Sequence, residues 1–246
     1  MDFHDPVASG SHLFTAAWAF FAMLVLVRLS GNQPLVVRVS LIVFGMSMVL
    51  LYLASGFYHG LRYDTPEQKE FWLRMDRSAI FLLILGSQLP IFAAYLTGWR
   101  RTLSMSIATT IALIGIIYQW IGVVSQPVAI SIYVGMGATG MLTIPWWARL
   151  AGWNGMIWFS IATGLYVLGA AIEAMQWPNP VPDYIGHHEL LHLCDTIGSL
   201  VHFGFVVKFV SVKSAFPACD SYDSLIEAIP NETEICFPAA TTSATT

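Results

Sequence analysis

The stretch Gly186-His187-His188-Glu189-Leu190-Leu191-His192 opens the last apolar segment of the chain and contains the pattern His-Glu-x-x-His. Residues four apart share one face of a helix, so the imidazoles of His188 and His192 can reach the same metal ion. The neighbouring carboxylate of Glu189 could then act as a base. The pattern is equally typical of two histidines at the end of a membrane helix, so other polar residues must decide between the two interpretations.

The composition excludes an ordinary soluble domain. Hydrophobic residues make up 56% of the 246 residues and charged residues only 11%, whereas a soluble domain carries about 25% charged residues. The mean hydropathy is +0.65. We therefore expect an all-α, polytopic integral membrane protein, located in the cell membrane.

Apolar segments of about 20 residues, the length that crosses a bilayer, recur seven times. They predict a seven-transmembrane helix bundle within residues 1–213. The predicted spans are Leu13–Leu29, Val36–Tyr58, Met75–Leu96, Thr102–Val123, Val128–Trp147, Gly155–Met175 and Gly186–Val212. The polar residues from Arg62 to Arg74 are expected to form a short surface helix, and Pro90 is expected to kink the third span.

The remaining residues, 214–246, form a polar, acidic tail whose low apolar content predicts disorder. The tail contains Cys219 and Cys236, which could pair in an oxidising compartment or remain free thiols. Together with Cys194 they show no metal-binding spacing.

The spacing Gly135-x-Gly137-x-x-Gly140 in the fifth span formally matches a dinucleotide-binding pattern. It follows no strand and opens no βαβ unit, so we reject that interpretation. Small residues in a membrane span are instead typical of helices that approach closely in lipid.

Polar residues from three separate spans converge near one face of the predicted bundle. The second span ends in Ser55-x-x-x-His59, the third starts with Asp76, and the seventh starts with His188 and His192. Each has a simpler explanation by itself, such as a helix cap or an interfacial position. An ionisable group left unpaired in lipid costs several kcal/mol, so their coincidence at one depth favours a metal site.

Three neutral imidazoles with one open position are typical of a catalytic zinc site. Zn²⁺ held by His59, His188 and His192 would lower the pKa of a water ligand toward about 7, which gives a hydroxide nucleophile. Asp76 would hold this water and move its proton, and Ser55 would add an outer hydrogen bond. The sequence therefore predicts Zn²⁺ as the cofactor and Asp76 and Ser55 as catalytic residues.

The same residues resemble the hemolysin III branch of the progestin and adipoQ receptor family, which is related to the alkaline ceramidases. The resemblance covers about residues 5–212, and Asp5-Pro6 and His12 are similar to the opening of that branch. The stretches that carry it also include Ala54-Ser55-Gly56-Phe57-Tyr58-His59, Met75-Asp76-Arg77-Ser78-Ala79-Ile80, Pro178-Asn179-Pro180 and Gly186–His192.

The resemblance implies a seven-helix bundle with zinc held by His59, His188 and His192. It also implies that Ser55 and Asp76 lie close to the zinc-bound water and that the glutamate of His-Glu-x-x-His is not the base. The sequence departs from the family pattern in two acidic residues inside the last two predicted spans. They are Glu173 and Asp195.

We consider three functions, with a membrane lipid and no nucleic acid as the expected partner. The leading one is a zinc-dependent hydrolase of a lipid amide or ester. The second is a non-enzymatic receptor, sensor or pore-forming protein, although structural zinc usually has four protein ligands. The third is an intramembrane zinc protease, but Glu189 lies about 100° from His188 around the helix and no second protease motif follows.

A stripe of polar residues is predicted along the seventh helix when each residue is counted as about 100° of rotation. Its members are His188, His192, Asp195, Ser199 and His202. Either each is satisfied separately by a neighbouring helix, or together they line a hydrated path from the metal. In the second case Asp195 would serve as a second carboxylate near the site.

Overall fold

The computed structural model describes residues 6–122, 125–181 and 185–211, and within these ranges the chain forms helices and no β-strand. The helices are α1 (Pro6–Leu29), α2 (Leu35–Gly60), α3 (Pro66–Tyr95), α4 (Gly98–Ile121), α5 (Gln126–Met141), α6 (Ile144–Met175) and α7 (His187–Phe205). A π-helical segment, Val206–Ser211, extends α7. Six of these helices are long and apolar enough to cross a membrane, which confirms the predicted all-α, multi-pass protein. The predicted tail, residues 214–246, lies outside the described residues.

The predicted fifth span, Val128–Trp147, is wrong in its length. α5 contains 16 residues and ends at Met141, so it is shorter than the roughly 20 residues of a span. Pro145 explains this end, because proline lacks an amide hydrogen and its ring clashes with the carbonyl of the residue four positions earlier. Trp147 lies instead in α6, where it is buried. The described chain therefore has six candidate spans and one short apolar helix.

α6 is interrupted at Gly152, where φ is 70° and ψ is 174°. A glycine adopts this positive φ readily because it has no Cβ atom. The predicted sixth span, Gly155–Met175, corresponds to the part of α6 after this break. The helix ends at Met175, as predicted, and Gln176 follows in the left-handed conformation with φ of 52°.

The polar residues 62–74 do not form a separate surface helix. α3 begins at Pro66, where the Thr65 hydroxyl accepts a hydrogen bond from the Gln68 amide at 3.3 Å, a typical helix start. Neither glycine nor proline follows before the apolar residues, so the helix continues for 30 residues. Its length of about 45 Å exceeds the roughly 30 Å of the bilayer core. Asp76 consequently lies in the third turn of α3 and not in its first.

The packing of the helices positions the end of α2 beside the start of α7. α2 packs against both α1 and α3, while α7 packs against α6 and also contacts α1. Buried aromatic side chains, including Phe44, Phe81 and Phe205, fill the core between them. Large apolar side chains such as Phe14 and Phe21 lie on the outside, which suits contact with lipid tails.

Candidate metal centre

Three histidines from two helices meet where α2 ends and α7 begins. His59 lies in the last turn of α2, and His188 and His192 lie in the first turns of α7. One ligand atom from each histidine lies within 4.8 Å of those of the other two. His59 and His192 are buried, and His188 is partly exposed. The structure thus brings the three predicted ligands to one point.

The separation of the His188 and His59 nitrogens suits a tetrahedral zinc ion. Nε2 of His188 lies 3.3 Å from Nε2 of His59. Two nitrogens bound to zinc at about 2.0–2.1 Å in tetrahedral geometry would be separated by about 3.3–3.4 Å. Nε2 of His192 is fully buried and has no hydrogen-bond partner among the described residues, and such an atom requires an explanation. The donor set therefore fits a metal ion, and zinc binding itself stays a prediction.

Two capping contacts hold the first turn of α7. Oδ1 of Asn179 accepts the amide hydrogen of His187 at 3.0 Å, and the Glu189 carboxylate accepts that of Gly186 at 2.6 Å. These contacts satisfy amides that the start of a helix leaves without an intrahelical partner. The carboxylate of Glu189 is therefore engaged at the helix start, and the turn that carries His188 is fixed.

Ser55 and Asp76, the predicted catalytic residues, lie beside the histidines. Ser55 is buried one turn before His59, and its hydroxyl donates a hydrogen bond to the Asp76 carboxylate. Asp76 is partly buried and lines the same cavity as His59 and His188. An acid–base group thus lies at the histidine cluster, while its catalytic role stays a prediction.

The connection between α2 and α3 adds a neutral phenol to the cavity wall. Tyr63 lines the cavity, and its hydroxyl donates to the backbone carbonyl of Tyr58 at 2.5 Å. The pKa of Tyr63 is raised to about 12, mainly by burial and further by the electrostatic effect of the nearby Tyr58 and Asp76. Tyr63 therefore carries no charge at neutral pH.

Two more residues contact the histidines, although the sequence assigned them no role in the site. Glu173 in α6 is buried, and its Oε2 lies 3.3 Å from Nδ1 of His188. His12 in α1 is buried, and its ring centroid lies 4.0 Å from that of His192. Neither ring nitrogen of His12 has a hydrogen-bond partner among the described residues. In the sequence, Glu173 was notable only as a departure from the family pattern. His12 was notable only because it belongs to the stretch that is similar to the opening of the hemolysin III branch.

A cavity of about 1110 Å³ extends from the site between α3, α5, α6 and α7. His59, Asp76 and His188 line it near the site, and apolar side chains such as Phe92 and Trp147 line it deeper in the bundle. Asp76 and Phe92 both lie on α3, about 24 Å apart along the helix axis. The cavity is thus slightly larger than typical ligand pockets, which measure about 300–1,000 Å³, and is long enough for a hydrocarbon chain.

Two members of the predicted polar stripe on α7 are satisfied separately by neighbouring helices. Oγ of Ser199 lies 2.6 Å from the hydroxyl of Tyr52 and 2.9 Å from that of Tyr166. Nε2 of His202 lies 3.1 Å from the backbone carbonyl of Ser87. These contacts favour the simpler interpretation of the stripe beyond the site.

Asp195, like His202, lines the large cavity, whereas Ser199 is not among the residues that line it. Its backbone carbonyl accepts a hydrogen bond from Tyr52 at 3.0 Å, so the position of α7 here is fixed. Asp195 lies one turn beyond His192 on the same helix. Asp195 therefore stays the predicted second carboxylate near the site. The predicted hydrated path along the rest of α7 is not supported by the contacts of Ser199 and His202.

Comparisons with known proteins show the family to which the chain belongs. Residues 3–203 match the family described as haemolysin-III related. The chain is 30% identical over 187 residues to the hemolysin-3 homolog of Bacillus subtilis (strain 168), covering 72% of this chain and 80% of that protein. It is 20% identical over 198 residues to the adiponectin receptor protein of Drosophila melanogaster, covering 72% and 45%. Hemolysin-3 of Bacillus cereus is 31% identical over 97 residues, covering 39% and 43%. The resemblance expected from the motifs is confirmed, and the chain belongs to the haemolysin-III related family.

Proposed function

We propose that this membrane protein is a zinc-dependent hydrolase that cleaves an amide or ester bond of a membrane lipid. The observation that carries the proposal is the convergence of three histidine ligand atoms, all within 4.8 Å of one another, where His59 and His188 line a largely apolar cavity of about 1110 Å³. Three protein ligands with one open position are typical of catalytic zinc. A long apolar cavity suits a hydrophobic substrate.

His59, His188 and His192 would hold the ion through neutral ring nitrogens. When bound, zinc would supply Lewis acidity and lower the pKa of a water ligand toward about 7. The capping contacts at the start of α7 fix the backbone that carries two of these ligands. The protein therefore holds much of the ligand geometry before the ion binds.

Asp76 would take a proton from the attacking water and return it to the leaving amine or alcohol. The hydrogen bond from Ser55 would restrict the orientation of this carboxylate. A positioned acid–base group of this kind contributes about 10²–10⁴-fold to a reaction rate. Asp76 lines the cavity near two of the histidines, where the reacting bond of a bound lipid would lie.

The deeper part of the cavity would bind the hydrocarbon chain of the substrate. Its wall is formed by apolar side chains such as Ile84, Phe92 and Trp147. Burial of each methylene group contributes about 0.8 kcal/mol relative to water. The chain would thus anchor the lipid while its polar bond lies at the histidines.

A non-enzymatic receptor or sensor is the second candidate. The Drosophila relative is named an adiponectin receptor protein and matches 72% of this chain. In this case the cavity would bind a lipid ligand without cleaving it. A protease with Glu189 as base is less well supported, because the bond to Gly186 engages that carboxylate.

The proposal is tested with the purified full-length protein in detergent. Metal analysis measures zinc per chain, and mass spectrometry measures hydrolysis of ceramides, other lipid amides and lipid esters. We expect one zinc per chain and a hydrolysis that chelation removes and added zinc restores. Stoichiometric zinc without hydrolysis of any lipid would favour the receptor, and a chain that binds no zinc would contradict the proposed centre.

A further inference from the structure

We propose that Glu173 is a positioning residue of the metal centre. Its carboxylate accepts the Nδ1 hydrogen of His188 and so directs the unprotonated Nε2 of that ring toward the ion. The inference rests on the proposed metal centre and adds to it a residue from α6, which supplies none of the three ligands.

Each of the two nitrogens of the His188 ring has its own neighbour. On one side, Nδ1 lies 3.3 Å from Oε2 of Glu173. On the other side, Nε2 lies 3.3 Å from Nε2 of His59. Glu173 therefore contacts the ring nitrogen opposite the one that lies near His59. It does not belong to the group of residues whose ligand atoms converge.

The chemistry of imidazole explains why this contact matters. A neutral imidazole carries its hydrogen on one nitrogen and binds a metal through the other. A carboxylate that accepts the Nδ1 hydrogen fixes this tautomer and the ring orientation, and it raises the basicity of Nε2. Glu173 thus selects the form of His188 that can bind zinc through Nε2.

The burial of Glu173 fits this role. Only 7% of its side chain is exposed, and a buried carboxylate is costly unless charge and hydrogen bonds compensate it. Nδ1 of His188 supplies one contact, and Nε2 of His187 lies 3.9 Å from the same oxygen. A divalent ion on the opposite side of the His188 ring would supply positive charge to both Glu173 and Asp76.

The test compares zinc affinity in the full-length wild type, Glu173→Gln and Glu67→Gln. Glutamine keeps the shape of the side chain but replaces a charge-assisted hydrogen bond with a weaker neutral one. Competition with a chromophoric chelator should show that Glu173→Gln weakens zinc binding about 10- to 100-fold. Glu67→Gln, the same change in an exposed carboxylate in the first turn of α3, should bind zinc like the wild type.

A spectroscopic readout separates positioning from a general loss of structure. With Co²⁺ in place of zinc, the visible absorption of Glu173→Gln should shift, while the melting temperature of the metal-free protein should stay at the wild-type value. Glu173→Asp provides a second variant and should bind zinc more tightly than Glu173→Gln if the negative charge matters.

The outcomes distinguish this inference from the proposed function. A wild type with stoichiometric zinc and a Glu173→Gln variant of equal affinity and unchanged cobalt spectrum would overturn the role of Glu173 alone. A weaker affinity matched by an equal loss of metal-free stability would also overturn it. A wild type that binds no zinc would overturn the metal centre itself.

Discussion

At the scale of single residues, the site contains two carboxylates that compete for the role of base. Asp76 accepts a hydrogen bond from Ser55 and lines the cavity, whereas Glu189 is bonded to the Gly186 amide. Asp76→Asn should therefore keep the metal and lower hydrolysis by about 10²–10⁴-fold. Glu189→Gln should retain nearly full activity. Steady-state rates and zinc content of both variants check this prediction, and the reverse pattern would support the protease interpretation.

Asp195 supports a second prediction at this scale. Its side chain lines the cavity one turn beyond His192, so it is expected to contact the substrate rather than the ion. Asp195→Val should leave zinc content unchanged and alter the relative rates for lipids with and without polar groups near the cleaved bond. A variant with the same substrate ranking as the wild type would show that Asp195 takes no part in recognition.

The site could be predicted from the sequence only where it depends on local spacing. His188 and His192 are one helical turn apart, and Ser55 and His59 are also one turn apart, so each pair shares a helix face. The contacts of Glu173 and His12 depend on how α6 and α1 pack against α7. No periodicity within one segment contains that information.

At the scale of the helices, close packing of α3 on α2 positions Asp76 relative to His59. A Cβ atom on Gly86 would clash with Ser47 and lie 3.2 Å from the backbone of Phe44. Gly86→Ala should therefore separate the two helices and destabilise the protein by about 1–3 kcal/mol. Thermal unfolding in detergent measures the effect.

The matched control for this change is Gly135→Ala in α5. A Cβ atom there would have no heavy atom of the described residues within 4 Å outside its own helix backbone. This variant should unfold at or slightly above the wild-type temperature, because alanine favours a helix over glycine. Equal melting temperatures for wild type and Gly86→Ala would contradict the close approach of α2 and α3.

The boundaries of the helices could not be predicted from hydropathy alone. Hydropathy predicts one continuous segment from Val128 to Trp147, yet Pro145 ends α5 at Met141. The polar residues before Met75 suggest a separate element, yet they continue α3 from Pro66. In both cases backbone hydrogen bonding, and not the apolar character of the side chains, sets the boundary.

At the scale of the whole molecule, the family match and the site both lie before the acidic tail. The match ends at residue 203, and the last ligand is His192. Deletion of the residues after Ser214, which lie outside the described part of the chain, should leave expression, melting temperature and zinc content unchanged. Size-exclusion chromatography and metal analysis check this, and loss of zinc on truncation would show that the tail supports the site.

We propose that α2 and α7 together hold one metal ion, and the zinc content of His59→Ala shows whether α2 contributes a ligand. His59 is the one ligand outside α7, so its removal leaves only the pair within the His-Glu-x-x-His stretch. His187→Ala is the matched control, because His187 contacts Asn179 and is not one of the converging ligands. We predict one zinc per chain in the wild type and His187→Ala, and loss of most of the zinc in His59→Ala. Full zinc occupancy in His59→Ala would show that α2 supplies no ligand and that the metal is not held between the two helices.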